Sequence, residues 1–366
     1  MQAARDFGTT FVGGAGLGEC YLGPSSTACV AQLAEAYAGV LQPGDKIIVE
    51  EAGHETNIGP WTRLGDRCEG VETLVWEVEK NDAAESPIAK LEEMLVQGQG
   101  SVRLVAVAHV SNILGQILPL VEVTELCHKH GARVICDGVA YAAHRIIDVA
   151  ESGVDFYFWS PYKVFAPHLG CMFGTTEAFK GLVGPNHFFM PQDSVPQMFE
   201  YGFQLHEASA GFVAFARHYL PFLNSLNPTA SPPAAAAAGT VADRATVVGA
   251  YEVVHALELP LQVALVEYVR ASPVLRLIGT PKTGVWDRVA QVSFLHTKLG
   301  ASAVVAQLNA KGICCRNGHM FAYRLAEALP DVGTGAADGT IRMSLAHYNT
   351  PEEVARCIEA IDGLEF

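Results

Sequence analysis

Short apolar runs alternate with longer amphipathic ones along the first part of the chain. "DKIIVEE" (45–51), "RLVAVAHV" (103–110) and "ARVICDG" (132–138) are apolar on consecutive positions. A strand reads that way when both of its faces are buried, as in a parallel sheet. Between and before them lie "STACVAQLAEAYAGVL" (26–41), "PIAKLEEMLVQG" (87–98) and "VEVTELCHKHG" (121–131). There the apolar residues recur at helical spacing, and two of the runs end in glycine, which predicts helices. Strand–helix alternation over roughly 220 residues predicts an α/β layer fold of ordinary domain size.

The pattern changes after "NPTASPPAAAAAGT" (227–240), a Pro- and Ala-rich stretch that reads as an exposed connection. Beyond it, "RVAQVSFLH" and "GTIRMSLA" alternate apolar and polar positions, as strands of an open-faced sheet do. "SAVVAQLNAKG" and "TPEEVARCIEAI" read as helices, and in the second Thr350, Pro351 and Glu353 suit the N-cap, first and third positions of a capping box. The expected division is therefore a large α/β domain over 1–226, a connection over 227–240 and a smaller C-terminal α+β domain over 241–366. No internal repeat is visible.

Composition narrows the function class. Half of the 366 residues are hydrophobic and 17% are charged, so a large core can form. A net charge of −15 argues against a nucleic-acid partner, while leaving room for a local pocket that takes one small anion. Nine cysteines without a zinc-like CxxC pair read as reduced thiols of a cytoplasmic-type compartment, with no metal site. The first residues, "MQAARDFGTT", hold no apolar signal core, and no apolar run is long enough to span a membrane.

The chemistry centres on "DFYFWSPYKVFAPHLGCMFG" (155–174), where a lysine stands in an aromatic and apolar run. Lysine is among the residues least often fully buried, and an unpaired ammonium in an apolar site is costly. Either Lys163 snorkels to water or its amine is used. Asp137 and Asn112 leave the ends of two predicted strands, where open α/β sheets place ligands. Asp137 could equally cap a turn, and Asn112, in "HVSNILG" beside Ser111 and Gly115, could merely close one. In "LGPSSTACV", Gly23, Ser25, Ser26 and Thr27 precede a helix whose free N–H groups make an anion site or receive an ordinary cap. His54 follows another strand end. Pyridoxal phosphate needs this combination: an amine for a Schiff base, a carboxylate for the pyridine nitrogen and a helix N-terminus for the phosphate.

These segments, with "GTIRMSLAHYNTPEEV", resemble the cysteine-desulfurase branch of the class-V aminotransferases, in order and over nearly the whole chain. The resemblance implies a fold-type I enzyme with a mostly parallel seven-stranded sheet, a smaller C-terminal domain, pyridoxal phosphate as cofactor and a homodimer. It implies Lys163 as the Schiff-base lysine and proton shuttle, Asp137 on the pyridine nitrogen and His54 stacked on the ring. Ser26, Thr27 and Ser160 match phosphate ligands, Tyr162 resembles the phosphate-binding tyrosine of kynureninase, and Asn112 sits near cofactor O3′ and the substrate. Arg342 matches the arginine that grips the substrate carboxylate, a task suited to its bidentate fork.

The chain departs from that family's pattern at four places. The loop "R-x-G-H-x-C-A" supplies the desulfurase nucleophile, and here "CRNGHMFAYR" puts Phe321 at the cysteine position. Cys314 and Cys315 stand nearby in strand-like sequence before the loop, poorly placed as substitutes. Ala140 replaces a glutamine that supports O3′, and Phe203 and Gln204 occupy a dimer-contact loop where the family has Gly-Thr-Pro. Relatives also have further residues ahead of the phosphate loop.

The expected reaction is elimination of a β-substituent from an amino acid, by a desulfurase-like C–S lyase without a persulfide cysteine. Phe321 would make the substrate pocket more apolar, with His319 or Tyr323 as acids for the leaving group. Epimerisation and transamination are the alternatives, and a degenerate, non-catalytic member of the fold is a third.

Overall fold

The computed structural model describes the chain apart from residues 81–84, 193, 203–204, 229–239, 285–286, 330–337 and 366. Phe203, Gln204 and most of the Pro- and Ala-rich stretch lie outside the described residues. Seven strands form the main sheet: β1 (Gly18–Gly23), β2 (Lys46–Glu50), β3 (Glu72–Trp76), β4 (Val102–Ala108), β5 (Arg133–Asp137), β6 (Phe156–Trp159) and β7 (Gly170–Thr175). Their order is β1-β7-β6-β5-β4-β2-β3, and only β7 runs against the rest. The sheet is thus mostly parallel. Its central strands are buried on both faces, as their unbroken apolar runs predict.

Helices cover both faces. α1 (Gln2–Phe11), α2 (Ser26–Ala38), α3 (Gly59–Arg67), α4 (Ile88–Gly98) and α5 (Leu120–Lys129) account for most of the cover up to β5. One core layer joins Phe7, Phe11, Leu91, Val123, Tyr157 and Trp159; the other joins Val30, Leu33, Trp61, Ile135 and Phe158. Alternate residues of β5 and β6 feed opposite layers, so burying one strand serves both. The strand over 72–76 and the first helix were not among the predicted elements. β3 is a half-exposed edge with one fully buried residue, which leaves a weak pattern.

A second, antiparallel sheet has the order β10-β11-β9-β8, from β8 (Leu275–Ile278), β9 (Gln291–His296), β10 (Arg316–Gly318) and β11 (Thr340–Ser344). Its apolar face packs on the helices Ala301–Ala310 and Pro351–Asp362. The latter starts with the expected capping box: Glu353 N–H donates to Thr350 Oγ1, and Thr350 N–H donates to the Glu353 carboxylate. One long helix, Arg244–Ala271, serves both cores. Val247, Ala250, Tyr251 and Val254 pack with the main sheet, and Leu261, Leu265, Val266 and Val269 with the small one. Pro260 lies between the two sets. The boundary expected at 240/241 therefore precedes a stretch that packs with the large core. Among the described residues, no helix is long and apolar enough to cross a membrane.

Candidate active site

The chain leaves β2, β4, β5 and β6 at the same edge of the sheet, and the residues that follow them meet the start of α2. The resulting pocket is lined by Ser25, Ser26, Thr27, His54, Thr56, Val110, Asn112, Asp137, Val139, Ala140, Ser160, Tyr162, Lys163 and His168. It holds about 590 Å³ of atom-free space, including its open mouth. Carboxyl ends of parallel strands converge where helix N-termini also point, which is where such sheets bind ligands.

Lys163 does not sit in the sheet core, as its aromatic context suggested. Pro161 closes the strand run and starts a single 3-10 turn, Pro161–Val164, that Phe165 ends with a left-handed backbone, φ 73°. The turn lifts Lys163 out of the apolar layer, and its side chain is exposed to the pocket. Water reaches the amine from the pocket, yet the surrounding protein removes much of its bulk solvation. That desolvation lowers its pKa; Asp137 opposes the shift and Arg342 adds to it.

Asp137 is 6% exposed at the end of β5. Burial raises its carboxyl to about 6, against the Val139 N–H that donates to Oδ1 at 2.9 Å and the charge of Lys163. The turn that aims it requires Gly138, because a Cβ there would lie 2.0 Å from the Tyr157 ring. His54 caps the short turn Glu55–Asn57, its Nδ1 accepting from Thr56 N–H at 3.0 Å. Burial, then the charges of Lys163 and Arg342, lower its pKa to about 4. His54 is accordingly a neutral ring with its proton on Nε2.

Ser25, rather than Ser26, caps α2, accepting from Ala28 N–H at 3.1 Å. Ser26 is buried, donates to Trp159 O at 2.8 Å and lies 2.7 Å from Ser160 Oγ. Thr27 is exposed and shares a hydrogen bond of 3.0 Å with Thr56. β7 packs closely against the backbone of this first turn. A Cβ on Gly170 would fall 2.2 Å from Ser25 C and 2.4 Å from Ser26 N.

Asn112 donates through Nδ2 to Met320 O at 2.7 Å, and its Oδ1 is buried without a partner. Arg342 donates through Nη1 to Asn112 O at 2.9 Å, while its buried Nε has no partner. Phe321 stands against His54, with ring centroids 5.5 Å apart and planes at 27°. It is 68% exposed. His319 Nδ1 accepts from Phe321 N–H at 3.1 Å, and Tyr323 packs edge-on to His319 at 5.5 Å. Cys314 and Cys315 line no part of this pocket and precede β10 rather than lie in it. Cys315 belongs to the small core, where burial raises its thiol to about 11.

His168 and Thr56 were not singled out in the sequence. His168 stacks on Tyr162, with centroids 4.6 Å apart and planes at 8°. Its signal was the short step from Lys163 through "VFAPH", which the turn folds back over the same pocket.

The sequence pattern named "Aminotransferase class-V" matches residues 21–201 and 228–357. The chain belongs to the class-V aminotransferase family. Its members are pyridoxal-phosphate-dependent enzymes, and this chain is one by descent. It is 32% identical over 352 residues to the aminotransferase-like protein FGM3 of Gibberella zeae, covering 95% of this chain and 79% of that protein. It is 30% identical over 372 residues to a probable cysteine desulfurase of Mycolicibacterium paratuberculosis, covering 98% of this chain and 48% of the relative. It is 29% identical over 354 residues to the nonribosomal peptide synthetase-like enzyme fsqF of Aspergillus fumigatus, of which it spans 21%. Among solved structures, a cysteine desulfurase from Thermococcus onnurineus superposes with a TM-score of 0.78 at 21% identity, over 99% of this chain and 83% of that one. At that identity the likeness speaks to fold alone, and the fold is that of fold-type I enzymes.

Proposed function

We propose that the chain binds pyridoxal phosphate in this pocket and eliminates a β-substituent from an amino acid, as a C–S lyase that forms no persulfide on the loop. The observation that carries the reading is the convergence of Lys163, Asp137 and the α2 N-terminus on one pocket. The donor set suits the cofactor: an amine of lowered pKa, a buried carboxylate, an amide turn for an anion, and an orphaned Asn112 oxygen. When bound, the cofactor withdraws electrons from the substrate Cα and so labilises its bonds.

The residues have separate tasks in this reading. Lys163 would hold the cofactor and then move the Cα proton. Asp137 would keep the pyridine nitrogen protonated, and neutral His54 would stack on the ring. Ser25, Ser26, Thr27 and Ser160 would border the phosphate, with Tyr162 as a further donor. Arg342 would orient the substrate carboxylate through its free Nε edge, with Asn112 beside it. His319 or Tyr323 would supply a proton to the departing group. Hydrolysis then leaves a keto acid and ammonia. Phe321 occupies the place of a nucleophilic thiol, so sulfur has no acceptor on that loop.

We also propose a homodimer, by the same resemblance. Phe188 and Phe189 support it, 93% and 70% exposed and packed edge-on to each other at 5.5 Å. Two bare phenylalanines side by side suit an interface better than a solvated surface.

The direct test of the reaction is to incubate the cofactor-loaded protein with S-alkyl cysteines and measure keto acid, ammonia and thiol. Equal release of the three supports elimination. Inversion at Cα without release, or transfer of the amino group to an added keto acid, would reject it in favour of an epimerase or an aminotransferase.

A further inference from the structure

The proposed function leaves His168 without a task, although it lines the pocket. It belongs to a definite end of that pocket. β1 pairs with β7 so that Gly23 faces Gly170. From Gly23 the chain passes through Pro24 to Ser25, the cap of α2, and a Cβ on Gly170 would meet the Ser25 and Ser26 backbone. His168 stands two residues before Gly170, so the entry to β7 carries it alongside the first turn of α2. Ser160 joins the same corner through its 2.7 Å contact with Ser26. The ring of His168 lies on Tyr162, two residues beyond Ser160. Arg342 belongs to the other end. β11 carries it opposite Arg316, and it bonds to Asn112 O beyond β4, with β5 and β6 between β4 and β7 in the sheet order.

The proposed function puts a phosphate at the α2 corner, and this inference rests on that reading. A phosphate monoester carries a charge of about −1.5 to −2 near pH 7 and offers three acceptor oxygens. Serines, a threonine and backbone amides supply donors there but no cation. Three basic side chains line the pocket: His54, Lys163 and His168. His54 is neutral, and its Nδ1 already accepts from Thr56 N–H. Lys163 is taken by the carbonyl of the cofactor. His168 remains. Among the described residues, its ring nitrogens have neither a hydrogen-bond nor an ion-pair partner. The stack on Tyr162, with planes at 8°, fixes the plane of the imidazole without using either nitrogen.

We propose that His168 is a binding residue for the cofactor phosphate, held in plane by Tyr162 and completing the anion site at the start of α2. An imidazole brings one N–H to such a site when neutral and two when charged.

The test compares pyridoxal 5′-phosphate with pyridoxal, which shares the ring and the carbonyl and lacks the phosphate. Each is titrated into cofactor-free protein, and binding is followed by the visible band and by the shift in melting temperature. The parent should bind the phosphate ester at least about 100-fold more tightly, since several charge-assisted hydrogen bonds are lost together in pyridoxal. His168→Phe keeps a ring on Tyr162 and removes the donors. It should weaken pyridoxal 5′-phosphate about 10- to 100-fold, the size of one hydrogen bond to a charged group, and leave pyridoxal unchanged. His168→Lys, which returns a cation without the stack, should recover part of the loss. The inference is overturned if His168→Phe weakens both aldehydes equally or weakens neither. It is also overturned if the parent binds the two equally well, because the phosphate then has no site. If the parent binds neither, the proposed function fails first and takes this inference with it.

Discussion

Phe321 stacks on His54. The rings are 5.5 Å apart, and the two backbones are tied as well, since Glu55 N–H donates to Phe321 O at 2.8 Å. The loop that carries a nucleophilic cysteine in desulfurases thus delivers an inert ring to the side chain proposed to cover the cofactor. Met320 and Phe321 both hold left-handed backbone, φ 50° and 62°, which costs energy for side-chain-bearing residues. The loop is held in that shape by the Asn112–Met320 and Glu55–Phe321 hydrogen bonds.

A substitution at this contact separates the two sulfur chemistries. With L-cysteine, the parent protein should release free sulfide and show no added sulfur by intact-mass spectrometry. Phe321→Cys should retain one extra sulfur atom after brief exposure to L-cysteine. An unmodified Phe321→Cys protein that still releases sulfide would mean the thiol is out of reach of the substrate.

Arg342→Ala should raise KM for amino acids by about two orders of magnitude, the effect of losing a charge-assisted bidentate pair, with a smaller change in kcat. Steady-state kinetics over a range of substrate concentration checks the split. A fall in kcat at unchanged KM would place Arg342 elsewhere in the cycle.

The buried carboxyl of Asp137 makes the cofactor-free protein sensitive to pH in a definite direction. Its folded pKa of about 6 is above the ordinary aspartate value of about 3.9. Well below pH 4 the acid is protonated in both states and carries no penalty. As pH rises toward 6 the folded state holds a proton that the unfolded state has lost, so stability falls. The full penalty, about 3 kcal/mol for a shift of about two units, is in place above pH 6. Asp137→Asn should therefore raise the melting temperature of the cofactor-free protein at pH 7.5, leave it little changed at pH 4, and abolish turnover. A variant that melts lower at pH 7.5 contradicts the sign.

Gly170→Ala tests the phosphate turn. The added methyl meets backbone rather than a movable side chain, at 2.2 Å from Ser25 C. Overpacking of this kind costs about 1–3 kcal/mol, and the displaced α2 turn should weaken cofactor binding more than a remote change of equal stability. Thermal melting with and without pyridoxal phosphate separates the two effects.

Replacing both Phe188 and Phe189 with Asp should shift the protein from dimer to monomer in analytical ultracentrifugation. An unchanged mass, dimeric or monomeric, removes these rings from the interface.

Much of this architecture was readable because burial on two faces leaves unbroken apolar strands, and β2, β4 and β5 fall where "KIIVE", "VRLVAVA" and "RVICD" are found. The strand-end positions of Asp137 and Asn112 followed from the same runs. The capping box at Thr350 was legible because it is purely local. Three things were not. β3 is an edge with mixed exposure, so its pattern is weak. The turn at Pro161 reverses what the aromatic run implies for Lys163, since one proline ends the strand two residues before the lysine. The pairing of Arg316 with Arg342 joins residues 26 positions apart, and register across strands is a tertiary property.

In the proposed function, everything depends on Lys163 anchoring pyridoxal phosphate. The most direct measurement is the visible absorption spectrum of the purified protein after incubation with the cofactor and removal of the excess, beside the Lys163→Ala variant. The parent should show a protein-bound visible band that shifts when an amino acid is added, and the variant should lose it while remaining folded by circular dichroism. A folded parent without the band, or a variant that keeps it unchanged, would mean that Lys163 is not the anchor.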